Sequence, residues 1–237
     1  KNQDLLTEKR RTLHEGSMLD IAQQLRDEIS PELLENHSAT ERVRDYPHPL
    51  VFWTYLGQVA GEDSSCKRAV SRVQTWAHQQ GLKVPSASTS SFCEARQALP
   101  LEMLQAVHHS LTEQLDAQLP DSSLWRGHRV KAEDGTSAQM PDTDRNREAY
   151  PYPPGSKPGC GHPVIRLGGL IDLGHGGLQD FSFSKFKTSE LRGHDALESY
   201  LEPGDIHVSD RLYSSYENID RHLEKGFYSI VRPHQAR

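Results

Sequence analysis

The sequence predicts an α+β or α/β chain in two parts: a helical amino-terminal domain over residues 1–122 and a mixed-sheet domain over residues 123–237. Three observations carry this expectation. Apolar residues recur at helical spacing as far as Leu119, where Pro120-Asp121-Ser122-Ser123 interrupts them. Beyond that break, short runs of period two follow one another around Val130, Val164, Phe181, Ile206 and Phe227. Two of these runs arrive at an acid, Asp134 before Gly135 and Asp210 before Arg211.

Taken in order, residues 4 to 29 read as one helix or two, with Met18, Ile21 or Ala22, Leu25 and Ile29 along one stripe. Ser30-Pro31 is a helix-start signal for Pro31 to Asn36. After Pro47-His48-Pro49, the stretch from Leu50 to Val59 is too apolar on all sides for a surface helix and reads as the central helix of its domain. Ser64 to Gln80 is amphipathic: Ala69, Val70, Val73, Trp76 and Ala77 share a face, Lys67, Arg68, Arg72 and Gln79 lie outside it, and Gly81 stops it. Ser91-Phe92-Cys93-Glu94 fits a capping box opening a short helix through Arg96 to Leu99. Two helices joined by a turn, with Lys67, Arg68, Arg72 and Arg96 outward, have the form of a DNA-reading helix-turn-helix, although an ordinary helical hairpin with a solvated charged face is the commoner use of the pattern. Leu101 to Leu119 closes the helical region.

In the second part, Val130 and Ala132 alternate with charged residues as in a strand, and Gly135 breaks the alternation, which puts Asp134 at a strand end. Pro141 to Gly161 is so rich in Pro and Gly that it reads as a loop, with neither helix nor central strand. Val164 to Leu173 and Leu178 to Phe186 read as a hairpin about Gly174-His175-Gly176-Gly177. A helix is expected from Ser189 to Leu201, then the strand Ile206 to Asp210 after the Pro203-Gly204 turn. A second helix, Ser215 to Lys225, carries Tyr216, Ile219 and Leu223; Gly226 ends it, and Phe227 to Val231 is the last strand. A right-handed crossover would lay the Asp210 strand parallel to a strand already in the sheet. If that neighbour is the Asp134 strand, both carboxylates emerge at one sheet end and can share a metal. The order of three strands, helix, strand, helix, strand is that of the RNase H-like fold.

Composition bounds the function. The 237 residues suffice for one large or two ordinary domains, and 35% hydrophobic content supports a buried core. No apolar run is long enough to span a bilayer, and Lys1-Asn2-Gln3-Asp4 lacks the apolar centre of a signal peptide, so a cytoplasmic protein is expected. The three cysteines, Cys66, Cys93 and Cys160, are odd in number with no close pair in sequence, which argues against a disulfide framework and a Cys-rich zinc site and for reduced thiols. A net charge of −6 is unfriendly to tight DNA binding, since phosphate neutralisation asks for a basic face. The chain opens on Lys1 and stops at Arg237 directly after a strand, which suggests a fragment of something longer.

An ordered set of short motifs runs through the chain: Leu50-Val51-Phe52-Trp53-Thr54, Cys66 with Ala69-Val70, Ala95-Arg96 with Leu99-Pro100, Asp134-Gly135-Thr136, Pro141-Asp142-Thr143 with Asn146 and Tyr150-Pro151, Lys157-Pro158-Gly159-Cys160-Gly161 with Pro163, Gly204-Asp205 leading to Asp210-Arg211, and Val231-Arg232 with His234-Gln235. In this set the sequence resembles the bacterial insertion-sequence transposases of the IS-four family, from about residue 47 onward. The resemblance implies an RNase H-like catalytic domain with a DDE triad, in which Asp134 matches the first Asp and Asp210 the second. The third member, a Glu, lies in the family within a helix reading Tyr, two residues, Arg, three residues, Glu, and no Tyr here has Arg three positions on, so that Glu is absent from this chain.

The resemblance further implies two Mg²⁺ or Mn²⁺ ions, Asp134 bridging both and Asp210 holding one, for in-line attack on a phosphodiester. Element terminal inverted repeats and target DNA are the implied partners, with a homodimer as the working form and DNA transposition, by cleavage and strand transfer, as the function. Arg211, directly after Asp210, would orient a phosphate or make a salt bridge. An alternative from another class is a catalytically inactive DNA-binding remnant of a decayed element. Cys160-Gly161-His162 lacks a second ligand pair for zinc, the glycines of 168–177 read as hairpin residues, and His175, His194 and His207 read as structural or exposed.

Overall fold

A computed structural model of the chain describes residues 11, 18–38, 45–156, 161–186 and 195–232. Outside them fall residues 12–17 and all before Arg11, the Lys157-Pro158-Gly159-Cys160 motif, the start of the helix expected from Ser189 with His194, and His234-Gln235. Contacts divide the chain into two compact units, Lys1–Gln114 and Leu115–Arg237.

The first unit is helical: α1 (Met18–Gln24), α2 (Pro31–Asn36), α3 (His48–Ala60), α4 (Cys66–Gln79), α5 (Thr89–Gln97) and α6 (Leu101–Ala117), whose last turn belongs to the second unit. Serine hydroxyls start three of them. Ser30 accepts from the Leu33 N–H at 3.2 Å and Ser65 from the Arg68 N–H at 3.2 Å, each satisfying an amide that the first helical turn leaves unpaired. α5 departs from expectation: Ser88, not Ser91, is its cap, accepting from the Ser90 N–H, so the helix begins at Thr89. The all-round apolarity of α3 has a direct cause. Val51 packs with Ala69, Val70, Val73 and Phe92, while Phe52, one residue on, packs with Ile29, Leu34, Met103 and Val107, so α3 stands between two buried clusters.

The second unit is built on a five-stranded mixed sheet, β1 (Val130–Gln139), β2 (Val164–Asp172), β3 (Leu178–Lys185), β4 (Ile206–Ser209) and β5 (Tyr228–Val231), in the order β3-β2-β1-β4-β5. β1, β2 and β3 are antiparallel neighbours, whereas β4 lies parallel to β1 and β5 parallel to β4. The chain is thus α+β, a helical region followed by a mixed sheet, and the parallel neighbour of β4 is the Asp134 strand, the case left conditional above.

Two elements differ from the sequence reading. β1 does not end at Gly135: it continues to Gln139 because β2 pairs with it all the way, Gly135 opposite Gly168 and Gln139 opposite Val164. Gly135 keeps a negative φ, and a Cβ there would make only ordinary contact with the Leu167 carbonyl, so this glycine interrupts nothing. Within the Pro-rich stretch, α7 (Asp144–Ala149) forms where neither Pro nor Gly occurs, capped by Thr143, whose hydroxyl accepts from the Asn146 N–H at 3.2 Å.

One sheet face is covered. Residues 195–197 are helical, Glu198–Tyr200 form a 3₁₀ turn, and Leu197 and Leu201 bury against Leu170 and Phe227. α8 (Tyr216–Lys225) starts on Ser215, which accepts from the Asn218 N–H, and ends on Gly226, whose φ of 82° is the left-handed cap that a side chain would resist. α8 corrects the apolar stripe expected from its sequence: Tyr216 is 80% and Leu223 62% exposed, and the buried residues are Asn218 and His222. The side chains this helix buries are polar.

Candidate active site on the open sheet face

Alternation along the strands sorts the second unit's residues onto two faces. Lys131, Glu133, Leu170, Asp172 and His207 point to the covered face and are all buried. Val130, Ala132 and Asp134 of β1 point the other way, with Ile171 of β2, Phe183 of β3, Val208 of β4 and Ile230 of β5. Most of this second face is open: Ile171, Phe183, Tyr228 and Ile230 are exposed, Phe183 at 53% and Ile230 at 51%, while Ile206 is buried.

Both acids singled out from the sequence belong to the open face. The parallel ladder pairs Val130 with Ile206, Lys131 with His207 and Ala132 with Val208 at one constant offset. Carried two residues further, that offset sets Asp134 level with Asp210, one strand spacing away, about 4.8 Å in a regular ladder. Both are exposed. β4 ends just before Asp210, and the chain turns into the 3₁₀ segment Arg211–Tyr213, closed by a bond from the Tyr213 N–H to the Asp210 carbonyl. Asp134 instead sits inside β1, at the level where β4 leaves it, and its Oδ1 accepts from the Gly135 N–H at 2.8 Å. A groove of about 420 Å³ opens beside Asp134 over Leu167, Gly169, Phe181 and Phe183, the two rings meeting edge to face at 5.1 Å.

Directly beneath lies a charged layer that sequence reasoning missed. On the covered face the Lys131 ammonium reaches the Asp205 carboxylate at 2.7 Å and the Tyr200 carbonyl at 2.6 Å, all with under a tenth of either charged side chain exposed. Glu133 meets the His207 ring at 3.0 Å; both are buried. His207 stacks edge on to His222 at 5.1 Å, and His222 bonds the Ser229 hydroxyl at 2.7 Å and faces Glu198 at 3.6 Å. Glu198 in turn is held by Arg221 and Lys225. The Lys131–Asp205 ion pair and the Glu133–His207 hydrogen bond cross from β1 to β4 or its lead-in, so they tie together the strand that carries Asp134 and the one that leads to Asp210. The available signal was that Lys131 and Glu133 alternate with Val130 and Ala132; the alternation gives the strand but not which set faces inward, and the charged set does.

The remaining predicted residues lie in the first unit or beside Asp210. Lys67 and Arg68 are exposed on α4, and Arg211 is exposed. Arg72 is occupied: its Nη1 donates to the Gly57 carbonyl at 2.9 Å, and burial, then Arg68, lowers its pKa against the opposing pull of Asp63. Arg96 donates to Gln58 Oε1 at 3.1 Å and lies over the Tyr55 and Phe92 rings. Both arginines therefore brace α3, α4 and α5 against one another.

Oxygen donors alone, exposed and level on neighbouring strands, suit a hard divalent cation such as Mg²⁺ or Mn²⁺. Asp116, Asp172 and His175 also converge, but Arg129 already bridges the two carboxylates, with Nε 2.8 Å from Asp172, and supplies the positive charge there. Hydrogen bonds from Arg129, His175 and Gln179 outweigh burial and hold the Asp116 carboxyl below the usual range.

No family model and no curated protein matches the chain. Among solved structures it has a distant neighbour in a simian T-cell lymphotropic virus intasome, determined by cryo-electron microscopy in complex with the PP2A regulatory subunit B56 gamma. The likeness covers 73% of this chain and 53% of that one, with 14% sequence identity and a TM-score of 0.31. The chain spans about half the length of that neighbour. Among the described residues no helix is long and apolar enough to cross a membrane.

Proposed function

We propose that this chain carries the first two acids of a metal-dependent DNA-cleaving and strand-transferring site of the transposase kind, with Asp134 and Asp210 as its metal ligands. The observation that supports the reading is the parallel pairing of β1 with β4 from Val130–Ile206 to Ala132–Val208, a register that, extended two residues, sets Asp134 level with Asp210. The ordered motifs shared with the IS-four transposases add the substrate class, DNA ends and a target duplex. A divalent ion bound there would activate the attacking oxygen and stabilise the departing one. The chain's own contribution is to hold the two carboxylates one strand spacing apart, over the buried polar pairs that fix β1 against β4. Arg211, exposed beside Asp210, is the group to meet a phosphate. Lys67 and Arg68 on α4 are the side chains to meet DNA in the first unit, and Arg72 and Arg96 act as positioning residues.

The test is Mn²⁺ binding by titration calorimetry and electron paramagnetic resonance, followed by Mg²⁺-dependent nicking of supercoiled plasmid. Asp134→Asn and Asp210→Asn are each expected to weaken Mn²⁺ binding by about tenfold or more, since a ligand is lost outright. The assignment fails if both variants bind Mn²⁺ like the parent. Metal binding that depends on both acids without any nicking would favour the inactive DNA-binding remnant as the state of this chain.

A further inference from the structure

Cys66 and Cys93, far apart in sequence, come together in the first unit: Cys66 is the first residue of α4, Cys93 lies within α5, and the Cys93 thiol donates to the Cys66 sulfur at 3.6 Å. Both are free and only partly buried. We propose that they form a reversible thiol-oxidation site, in which a hydroperoxide oxidises Cys66 and Cys93 resolves the product as an intramolecular disulfide joining α4 to α5.

Three features of the surroundings assign the roles. The Cys66 sulfur receives a second hydrogen bond, from the Gln58 amide at 3.6 Å, and Gln58 is itself oriented by Arg96, which donates to its Oε1 at 3.1 Å, and by the Ser64 carbonyl at 2.6 Å. The first turn of a helix, where amide N–H groups are aimed outward, also favours a thiolate there. Burial pushes the Cys66 thiol up, but the hydrogen bonds from Cys93 and Gln58, with Arg96 close by, outweigh it and hold the thiol below its ordinary value. Donating to Cys66, together with burial, holds the Cys93 thiol above its own. One sulfur is thus poised as nucleophile and its neighbour as the protonated partner.

The chemistry balances with the peroxide as sole oxidant. The Cys66 thiolate attacks the peroxide, a sulfur–oxygen bond forms, the O–O bond breaks and alkoxide or hydroxide leaves, to be protonated by water, giving a sulfenic acid. Cys93 then attacks the Cys66 sulfur; the S–S bond forms, the S–O bond breaks and water departs with the Cys93 proton. A disulfide needs about 2.05 Å between sulfurs, so the two have to close by roughly 1.5 Å, within reach of side-chain rotation. A dithiol reductant returns both thiols by exchange.

The experiment uses the full chain carrying Cys160→Ser, which leaves only the pair. Brief hydrogen peroxide treatment followed by denaturing alkylation and intact mass analysis is expected to show loss of two hydrogens and no alkylated cysteine, reversed by dithiothreitol. Monomeric mobility on a non-reducing gel establishes that the bond is internal. With Cys93→Ser added, dimedone is expected to label Cys66; with Cys66→Ser added, dimedone labelling of Cys93 is expected to fall by about tenfold, following the smaller thiolate fraction. Two alkylatable thiols surviving peroxide, or a disulfide between two chains, would overturn the internal disulfide. Dimedone on Cys93 at the rate seen for Cys66 would overturn the assignment of roles.

Discussion

The two faces of the sheet are built on opposite rules. The covered face combines buried polar pairs, Lys131 with Asp205, Glu133 with His207, and Glu198 with Arg221 and Lys225, with a small apolar cluster of Leu170, Leu197, Leu201 and Phe227. The open face is largely apolar, with Ile171, Phe183, Tyr228 and Ile230 all exposed, and its two charged positions of interest, Asp134 and Asp210, stand at one level of the register. A buried ion pair adds little net stability when intact but is costly to break, because the survivor stays buried without its counter-charge. Exposed carboxylates keep their water and cost little either way. The comparison therefore teaches that stability and candidate chemistry are carried by alternate residues of the same strands, one facing each way.

The largest break in that comparison is Lys131→Ala. Losing the ammonium leaves Asp205 buried and uncompensated and frees the Tyr200 carbonyl, an expected loss of about 3–5 kcal/mol in urea unfolding. Glu133→Ala follows, at about 2–3 kcal/mol, since the His207 ring nitrogen loses its buried acceptor. By contrast Asp134→Asn and Asp210→Asn are expected to stay within about 0.5 kcal/mol. Should Asp134→Asn cost as much as Glu133→Ala, the division of labour between the faces is wrong. Ile230→Thr tests the open face from the other direction: exposed apolar area falls, so dye binding by the folded protein should drop while the unfolding midpoint hardly moves.

Smaller effects come from titration. Asp116 has its folded pKa depressed, so its contribution is present above the unfolded carboxyl value and is lost as pH falls through the folded one. Asp116→Asn should flatten the acid limb of a stability–pH curve below about pH 4 and leave neutral pH behaviour less affected. Tyr200 is the reverse case. Its hydrogen bond to Asp180, then burial, raises it to about 12, so its stabilisation is complete below the unfolded value near 10 and disappears as pH climbs to 12; Tyr200→Phe should remove that alkaline slope.

Much of this architecture was legible in the sequence. Helical spacing located α3, α4 and α6, period-two alternation located β2 to β5, and the crossover rule gave β4 a parallel neighbour without saying which, because each depends on local pattern or on chain handedness. What stayed hidden depends on partners distant in the chain. The extent of β1 past Gly135 comes from β2, more than twenty residues downstream. The inward face of β1 and α8 could not be read from hydropathy, since Lys131, Glu133 and His222 are held inside by partners distant in the chain, Asp205 and Tyr200, His207, and Ser229 with Glu198. Cys66 and Cys93 had no spacing signal, because packing of α4 on α5 alone brings their sulfurs together. Of the candidate residues, Asp134 and Asp210 were singled out by their setting after a strand-like run, whereas the engagement of Arg72 and Arg96 within the first unit was not legible, as an outward stripe position says nothing about reach.

The constant offset of the β1–β4 ladder also maps where the gene tolerates changes of length. Insertions between Tyr150 and Ser156, after α7, enlarge a connection and leave the ladder as it is. Deleting one codon between Ala132 and Asp134 does something else: it turns Asp134 inward to the seat of Glu133, facing His207, and moves the next residue out to the open face. A frame-preserving indel scan would therefore read as long permissive stretches broken by two short intolerant windows, one before each acid.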